Sequence, residues 1–393
     1  MPSRRPAVRL PVPPASPAIH DDAIDEGYLQ ETDSAVRARP SLENRRRLAR
    51  AYHAVAYFLV SKGDPDSAIQ RCSHALQVAP GDLNLTLLLG YLFISQNRQA
   101  EAIEVLEPAS RQSPRSLDAH LLLGYAYYYA ERLDEAATEW SKALEIRDDP
   151  RIREALAKIE KERDVTGFYQ GLQSGHFLLR FEGGQGGMLG RQVLDELEAD
   201  FQYLQSDLNV SPRETIVVLL YPNEAFRDVT RSPSWAGALN DGKIRVPVSG
   251  LTSVTPQLAR VLKHELTHSF VRQATSGRCP TWFNEGLAEL EDGSQLARFG
   301  KQLARIFPQT PPYALLEGSF VRLPAGDATL AYLKSLAALE YLRDTFGFNE
   351  VRQILGAMAV DSDFDAVLQL QLHMTYASFD KEVGAYLQKR YGQ

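Results

Sequence analysis

Cysteine is nearly absent from this chain of 393 residues: there are two, Cys72 and Cys279, too few and too far apart to build a disulfide framework or a cysteine-rich metal site. Any metal would have to be held by histidine and carboxylate. Long apolar runs are also missing. The longest, Leu83 to Ile94, is interrupted by Asn84 and Thr86 and falls short of the roughly 18 apolar residues that a membrane-spanning helix needs. Nor is positive charge in excess: 43 Lys and Arg against 50 Asp and Glu give a formal net charge of −7, which offers no general attraction to nucleic acid or to anionic lipid. Arg4, Arg5 and Arg9 precede no apolar signal core, because Pro11, Pro13, Pro14 and Pro17 break it. The expected compartment is the cytoplasm, or the periplasm or envelope if the true start lies upstream.

With 44% hydrophobic and 24% charged residues, the composition is that of a globular chain, and the length predicts two or three domains of roughly 100–200 residues. Residues 1–41, rich in proline and arginine with few large apolar groups, are expected to be a disordered tail. A fixed interval then appears. Ala68, Ala102 and Ala136 are spaced by 34 residues, as are Ala75, Ala109 and Ala143, Gly90 and Gly124, and Pro80 and Pro114. Thirty-four residues is the tetratricopeptide (TPR) period. Small residues at these places let paired helices approach closely, while Leu89, Leu106, Leu123 and Trp140 fill between them. Three repeats are expected at 49–82, 83–116 and 117–150, closed by a polar capping helix, so that 42–165 forms an all-α solenoid able to bind a protein partner in its groove.

The segment from Thr166 to Gly175 reads as a boundary, and strand signals follow it. His176–Phe181, Thr215–Tyr221 and Lys243–Val248 are short apolar or β-branched runs, with a helix at 190–208 between the first two. Pro247 confines the third run to an edge or an end, where an extended peptide could add as a further strand. Trp235 to Leu239 could shape a cleft beside it. From Pro256 the pattern is helical.

The chemistry is concentrated at His264-Glu265-Leu266-Thr267-His268, an H-E-x-x-H on a helix. Side chains four apart leave one face together, so both imidazoles can meet one cation, while Glu265 is offset to where a general base can reach water. A catalytic zinc takes three protein ligands and keeps one position open. Trp282-Phe283-Asn284-Glu285-Gly286-Leu287-Ala288-Glu289, introduced by Pro280, supplies a second helix that can present Glu285 opposite the histidines, with Glu289 one turn on to orient an imidazole.

On these residues, His264 to His268 and Asn284 to Glu289, the sequence resembles the gluzincin metallopeptidases, and in particular bacterial MA-type peptidase domains that follow TPR arrays; the likeness runs from about His176 to Tyr391. The resemblance implies one zinc per chain held by His264, His268 and Glu285, with Glu265 as base. It also implies an α+β zincin-like domain over 174–393, made of a small sheet plus active-site helices. Tyr332 resembles the tyrosine that supports the oxyanion in related domains, with Tyr313 and His373 as weaker alternatives. The expected activity is zinc-dependent hydrolysis of peptide bonds, on a peptide or protein substrate. The same ligands also serve other hydrolytic chemistry, and the competing reading is a TPR adaptor whose zinc domain is a catalytically inactive remnant. His53, His74, His120 and His176 are expected to be structural, and Cys279 a small loop residue.

Overall fold

The computed structural model describes residues 16–183, 186–230, 238–248, 250–360 and 363–392. Trp235, Ala236 and Gly237 of the expected cleft segment lie outside the described residues. The chain divides into two compact units, one ending at Asp164 and the other beginning at Val165.

The first unit opens with a two-residue ladder, β1 (Ile19–His20) and β2 (Ala23–Ile24), and then runs through helices: α1 (Glu26–Ala38), α2 (Leu42–Ser61), α3 (Pro65–Val78), α4 (Leu83–Ser95), α5 (Gln99–Gln112), α6 (Leu117–Tyr129), α7 (Leu133–Ile146) and α8 (Pro150–Thr166), whose last residues cross the division. The expectation of a disordered tail to residue 41 is corrected from residue 16 onward. Leu29, Thr32 and Val36 form one buried stripe on α1, Asp25 caps its first turn at Tyr28 N, and Asn44 Nδ2 donates to the carbonyls of Ala35 and Arg39. A stripe of three small or apolar residues suffices because α2 provides the opposing face.

The repeat rests on close helix contacts. A Cβ on Gly90 would lie 2.6 Å from Leu106, and one on Gly124 would lie 2.3 Å from Trp140, so each glycine is the notch that receives the partner helix. Ala68, Ala75, Ala102, Ala136 and Ala143 are fully buried. His120 is tied between Glu139 Oε2 (2.6 Å) and the carbonyl of Pro114 (3.1 Å), and His74 lies 2.6 Å from Asp33 Oδ2.

Among the described residues the second unit carries a five-stranded sheet in the order β3-β4-β5-β7-β6: β3 (Tyr169–Gln173), β4 (Phe177–Glu182), β5 (Ile216–Tyr221), β6 (Leu239–Asn240) and β7 (Ile244–Pro247). β4, β5 and β7 run parallel, while β3 and β6 are antiparallel to their neighbours. Tyr169–Gln173 is thus a strand where the sequence suggests a boundary, because its Gly and Gln are tolerated on an outer strand paired on one side. Phe177, Leu179, Val218, Leu220, Ile244 and Val246 face one core, and Val217, Leu219 and Tyr221 pack with Phe226 and Val229 on the other face.

Helix α9 (Gly186–Leu208) joins β4 to β5, and α10 (Asn223–Thr230) follows β5. After β7 come α11 (Pro256–Thr275), α12 (Thr281–Glu291), α13 (Gly300–Ile306), α14 (Ala325–Phe346), α15 (Phe348–Val360), α16 (Phe364–Leu372) and α17 (Tyr376–Tyr391). Among the described residues no helix is long and apolar enough to cross a membrane.

Candidate metal centre

Helix α11 is well framed by its sequence. Thr255 caps the first turn by accepting from Leu258 N, Pro256 occupies the first position, and the helix ends where Ser276 and Gly277 take positive φ. Leu262, Leu266 and Phe270 are fully buried, which fixes the rotation of the helix and turns His264 and His268 to a common side. The second helix, α12, is anchored by Trp282, Phe283 and Leu287, all fully buried. Gly286 sets its depth: a Cβ there would stand 2.3 Å from the carbonyl oxygen of Ser335 and 2.7 Å from Leu339, so only glycine lets α12 cross α14 at this distance. That crossing delivers Glu285, the neighbouring residue, to the histidines.

The Nε2 atoms of His264 and His268 each lie 3.5 Å from Glu285 Oε2, and the three donor atoms fall within 4.8 Å of one another. The rings stand nearly perpendicular at 89°, with centroids 4.9 Å apart. Their far nitrogens are both engaged. His264 Nδ1 lies 3.1 Å from Asp292 Oδ2, and His268 Nδ1 lies 3.0 Å from Asn284 Oδ1. Asp292 is itself fixed through Oδ1, which accepts from Arg260 Nη2 (3.1 Å), Ser294 N (2.8 Å) and Ser294 Oγ (2.7 Å). Acceptors at both Nδ1 atoms favour a proton there, so Nε2 is the nitrogen each ring can turn to a metal once it carries no proton, the tautomers that metal ligation requires.

Charge balance in the cluster follows from burial and neighbours. Burial pushes Glu285 up, but His268 and His264 outweigh it and hold the carboxyl below its ordinary value. Burial lowers His268 to about 4, while for His264 the opposing pull of Asp292 and Glu285 prevails and raises it well above its ordinary value. Glu265 is pushed up to about 7, first by burial, with His264 lowering it and Glu285 raising it further.

The remaining expected residues separate clearly. Burial raises the Tyr332 hydroxyl, and so do the charges of Glu285, Glu265 and Glu289, which sets it against the cluster; its ring packs edge-on to Phe320 at 5.4 Å. Glu289 lies within 4.8 Å of His264 and Asp292, but the hydrogen bond to His264 belongs to Asp292, so the orienting role expected of Glu289 passes to a residue that helical spacing does not point to. Tyr313 is fully buried, donates to the carbonyl of Lys334 at 2.6 Å and packs on Trp282, a structural role. His373 is an exposed left-handed cap on α16. His176 stacks on Phe201 and pairs with Glu198. The Cys279 thiol bonds the carbonyl of Pro280 at 3.5 Å, and burial, with Glu285 adding, pushes it well up.

Of the two placements expected for Pro247, the strand end holds, since β7 closes at Pro247, and the edge does not: β7 is paired on both sides at Ile244 and Arg245, and among the described residues β6 is the outer strand. Asn240 of β6 donates from Nδ2 to the carbonyl of Glu265 and to Ser269 Oγ, both at 2.8 Å, which fastens this outer strand to α11 beside the proposed base.

Two imidazole nitrogens, each oriented from behind, and one carboxylate oxygen, half-buried and converging, fit a zinc ion better than a hard cation, which would seek oxygen alone.

A family model described as tetratricopeptide repeat matches residues 59–112 and 94–159, all within the first unit, so this part of the chain carries TPR repeats, a scaffold for binding protein partners. No curated protein matches the chain. Among solved structures, "MamA 41-end from Desulfovibrio magneticus RS-1" is 21% identical with TM-score 0.28, covering 37% of this chain and 88% of that one. "MamA RS-1 ArsTM double mutant" is 20% identical with TM-score 0.29 and the same coverage.

Proposed function

We propose that the chain is a zinc-dependent peptidase whose TPR repeats recruit a protein partner or substrate. The observation that carries the reading is the meeting of His264 Nε2, His268 Nε2 and Glu285 Oε2, with both Nδ1 atoms held from behind. Zinc held by His264, His268 and Glu285 would supply Lewis acidity, lowering the pKa of water and polarising a carbonyl. Glu265, with a pKa near 7, takes a proton from the attacking water and returns it to the leaving amine. Tyr332 Oη donates to the oxyanion that develops on the scissile carbonyl, and outer strand β6 offers backbone groups to an extended peptide. The gluzincin resemblance, carried by H-E-x-x-H and N-E-x-x-x-E, favours peptides over other substrates of the same ligand set.

A second reading is favoured by the family match of residues 59–159: a partner-binding protein whose zinc domain does not cleave. One experiment separates the two. Purified wild type is incubated with a mixed peptide library beside Glu265→Gln, and zinc content is measured on both. Cleavage by wild type, lost in the variant while zinc stays bound, supports the peptidase; the same cleavage in both contradicts it, and zinc without cleavage in either supports the adaptor.

A further inference from the structure

The first unit holds a pocket that the repeats alone do not make. Its volume is about 500 Å³, and α1, α2 and α3 each supply part of the wall. Helix α1 precedes the residues matched by the repeat family and brings Glu26, Gln30 and Asp33 to one side. Leu29 from α1 and Leu59 from α2 add an apolar surface. A cavity of this size, apolar in part with a few placed polar groups, is the usual form of a small binding site.

The charges in it do not balance. Arg71 of α3 donates through both Nη atoms to the two oxygens of Glu26, so that pair neutralises itself. Asp33 makes no ion pair with lysine or arginine among the described residues. Its Oδ1 accepts from Tyr52 Oη at 3.0 Å, and its Oδ2 lies 2.6 Å from His74 Nε2, an imidazole that is charged only if protonated. Burial raises the Tyr52 hydroxyl, and the charge of Asp33 raises it further, so the hydroxyl keeps its proton and donates. The Asp33 side chain is only 15% exposed, and a carboxylate withdrawn from water without a cation is incompletely compensated.

The complement of this pocket is a cation, and the geometry selects its kind. Both oxygens of Glu26 are taken by the Arg71 fork, and each oxygen of Asp33 already faces one polar partner. Neither carboxylate therefore presents a free pair of oxygens to a second guanidinium. An ammonium asks only for single acceptors set around it. The remaining lone pairs of Asp33 and the side-chain oxygens of Gln30, Ser67 and Gln70 supply them, and those last three side chains make no hydrogen bond among the described residues. We propose that this pocket binds a lysine side chain of a partner protein, with the ammonium at Asp33 and the methylene stem along Leu29 and Leu59. The site adds a charge requirement to partner binding from a helix outside the repeats, and it does not rest on the metal reading.

The test is saturation-transfer NMR titration of the full chain at low ionic strength, where exposed charges are least screened. The probe is Nα-acetyl-lysine methylamide, compared with the norleucine, arginine and glutamate analogues and with alanine methylamide, which offers a free amino terminus instead. The lysine probe should bind about 10-fold or more tightly than the norleucine analogue, the scale of a hydrogen bond to a charged group, and more tightly than all the others. Asp33→Asn, which keeps an oxygen for Tyr52, should weaken the lysine probe by a similar factor. Gln70→Arg places a cation at the pocket from an exposed position, leaves the packing untouched, and should abolish binding. No binding of the lysine probe, equal binding of the norleucine analogue or of alanine methylamide, tighter binding of the arginine or glutamate analogue, or unchanged affinity in both variants would overturn the proposal.

Discussion

His264 Nδ1 lies 3.1 Å from Asp292 Oδ2, in the turn just past the end of α12, and that carboxylate is gripped in turn by Arg260, one helical turn before His264 on α11. The orientation of the first histidine therefore depends on a loop residue and on its own helix. Replacing Asp292 with Ala should weaken zinc binding by about 10–100-fold, the usual cost of removing a partner behind a ligating histidine. Glu289→Ala should cost less. Competition with a chromophoric chelator measures both; an equal or larger loss for Glu289→Ala would return the orienting role to that residue.

Gly286 allows α12 to cross α14, and a methyl group at this point meets the Ser335 backbone at 2.3 Å. Gly286→Ala should destabilise the second unit by at least about 1–3 kcal/mol, since the obstacle is main chain and cannot rotate away. Urea unfolding followed by tryptophan fluorescence reports it through Trp282. An unchanged midpoint would mean that the two helices have room the structure does not give them.

In the first unit, Gly124 is the notch for Trp140: a methyl group added there would stand only 2.3 Å from the indole. Gly124→Ala should expel the ring and lower the thermal midpoint of the TPR unit, and a Gly124→Ala, Trp140→Leu double variant should recover part of the loss. Failure of the smaller side chain to restore any stability would argue against the contact as the cause.

At the start of α8, Asp149 accepts from the backbone N–H of Arg151 and pairs with its guanidinium, and the hydrogen bonds from Arg151 hold its pKa down at about 2. Its contribution is present above the ordinary carboxylate range and is lost as pH falls towards 2. Asp149→Ala should cost about 1 kcal/mol near neutrality, as for loss of a helix cap. Acid unfolding should show the difference between variant and wild type shrinking as pH drops; a constant difference would contradict the assignment.

The periodic features were legible in the sequence and the aperiodic ones were not. The 34-residue interval identifies the repeats because each glycine and alanine answers a packing demand of one helix on the next. His264 and His268 are legible because spacing on a helix determines direction, and Glu285 because the third ligand has to come from a second helix close behind the first. Asp292 is hidden because it lies beyond the last helical turn, where Gly293 takes φ +84 and the chain folds back, so sequence periodicity points to Glu289 instead. Helix α1 is hidden by the polar composition around Leu29, Thr32 and Val36, and Asn240 by lying in a strand of two residues whose role comes from reaching across to α11.

The most direct test of the central claim is zinc content per chain, measured by elemental mass spectrometry on protein purified without added metal or chelator, with His268→Ala prepared alongside. Wild type should carry one zinc per chain, and His268→Ala should lose it. Wild type that stays metal-free even after reconstitution with zinc, or a variant that keeps its full complement, would contradict it.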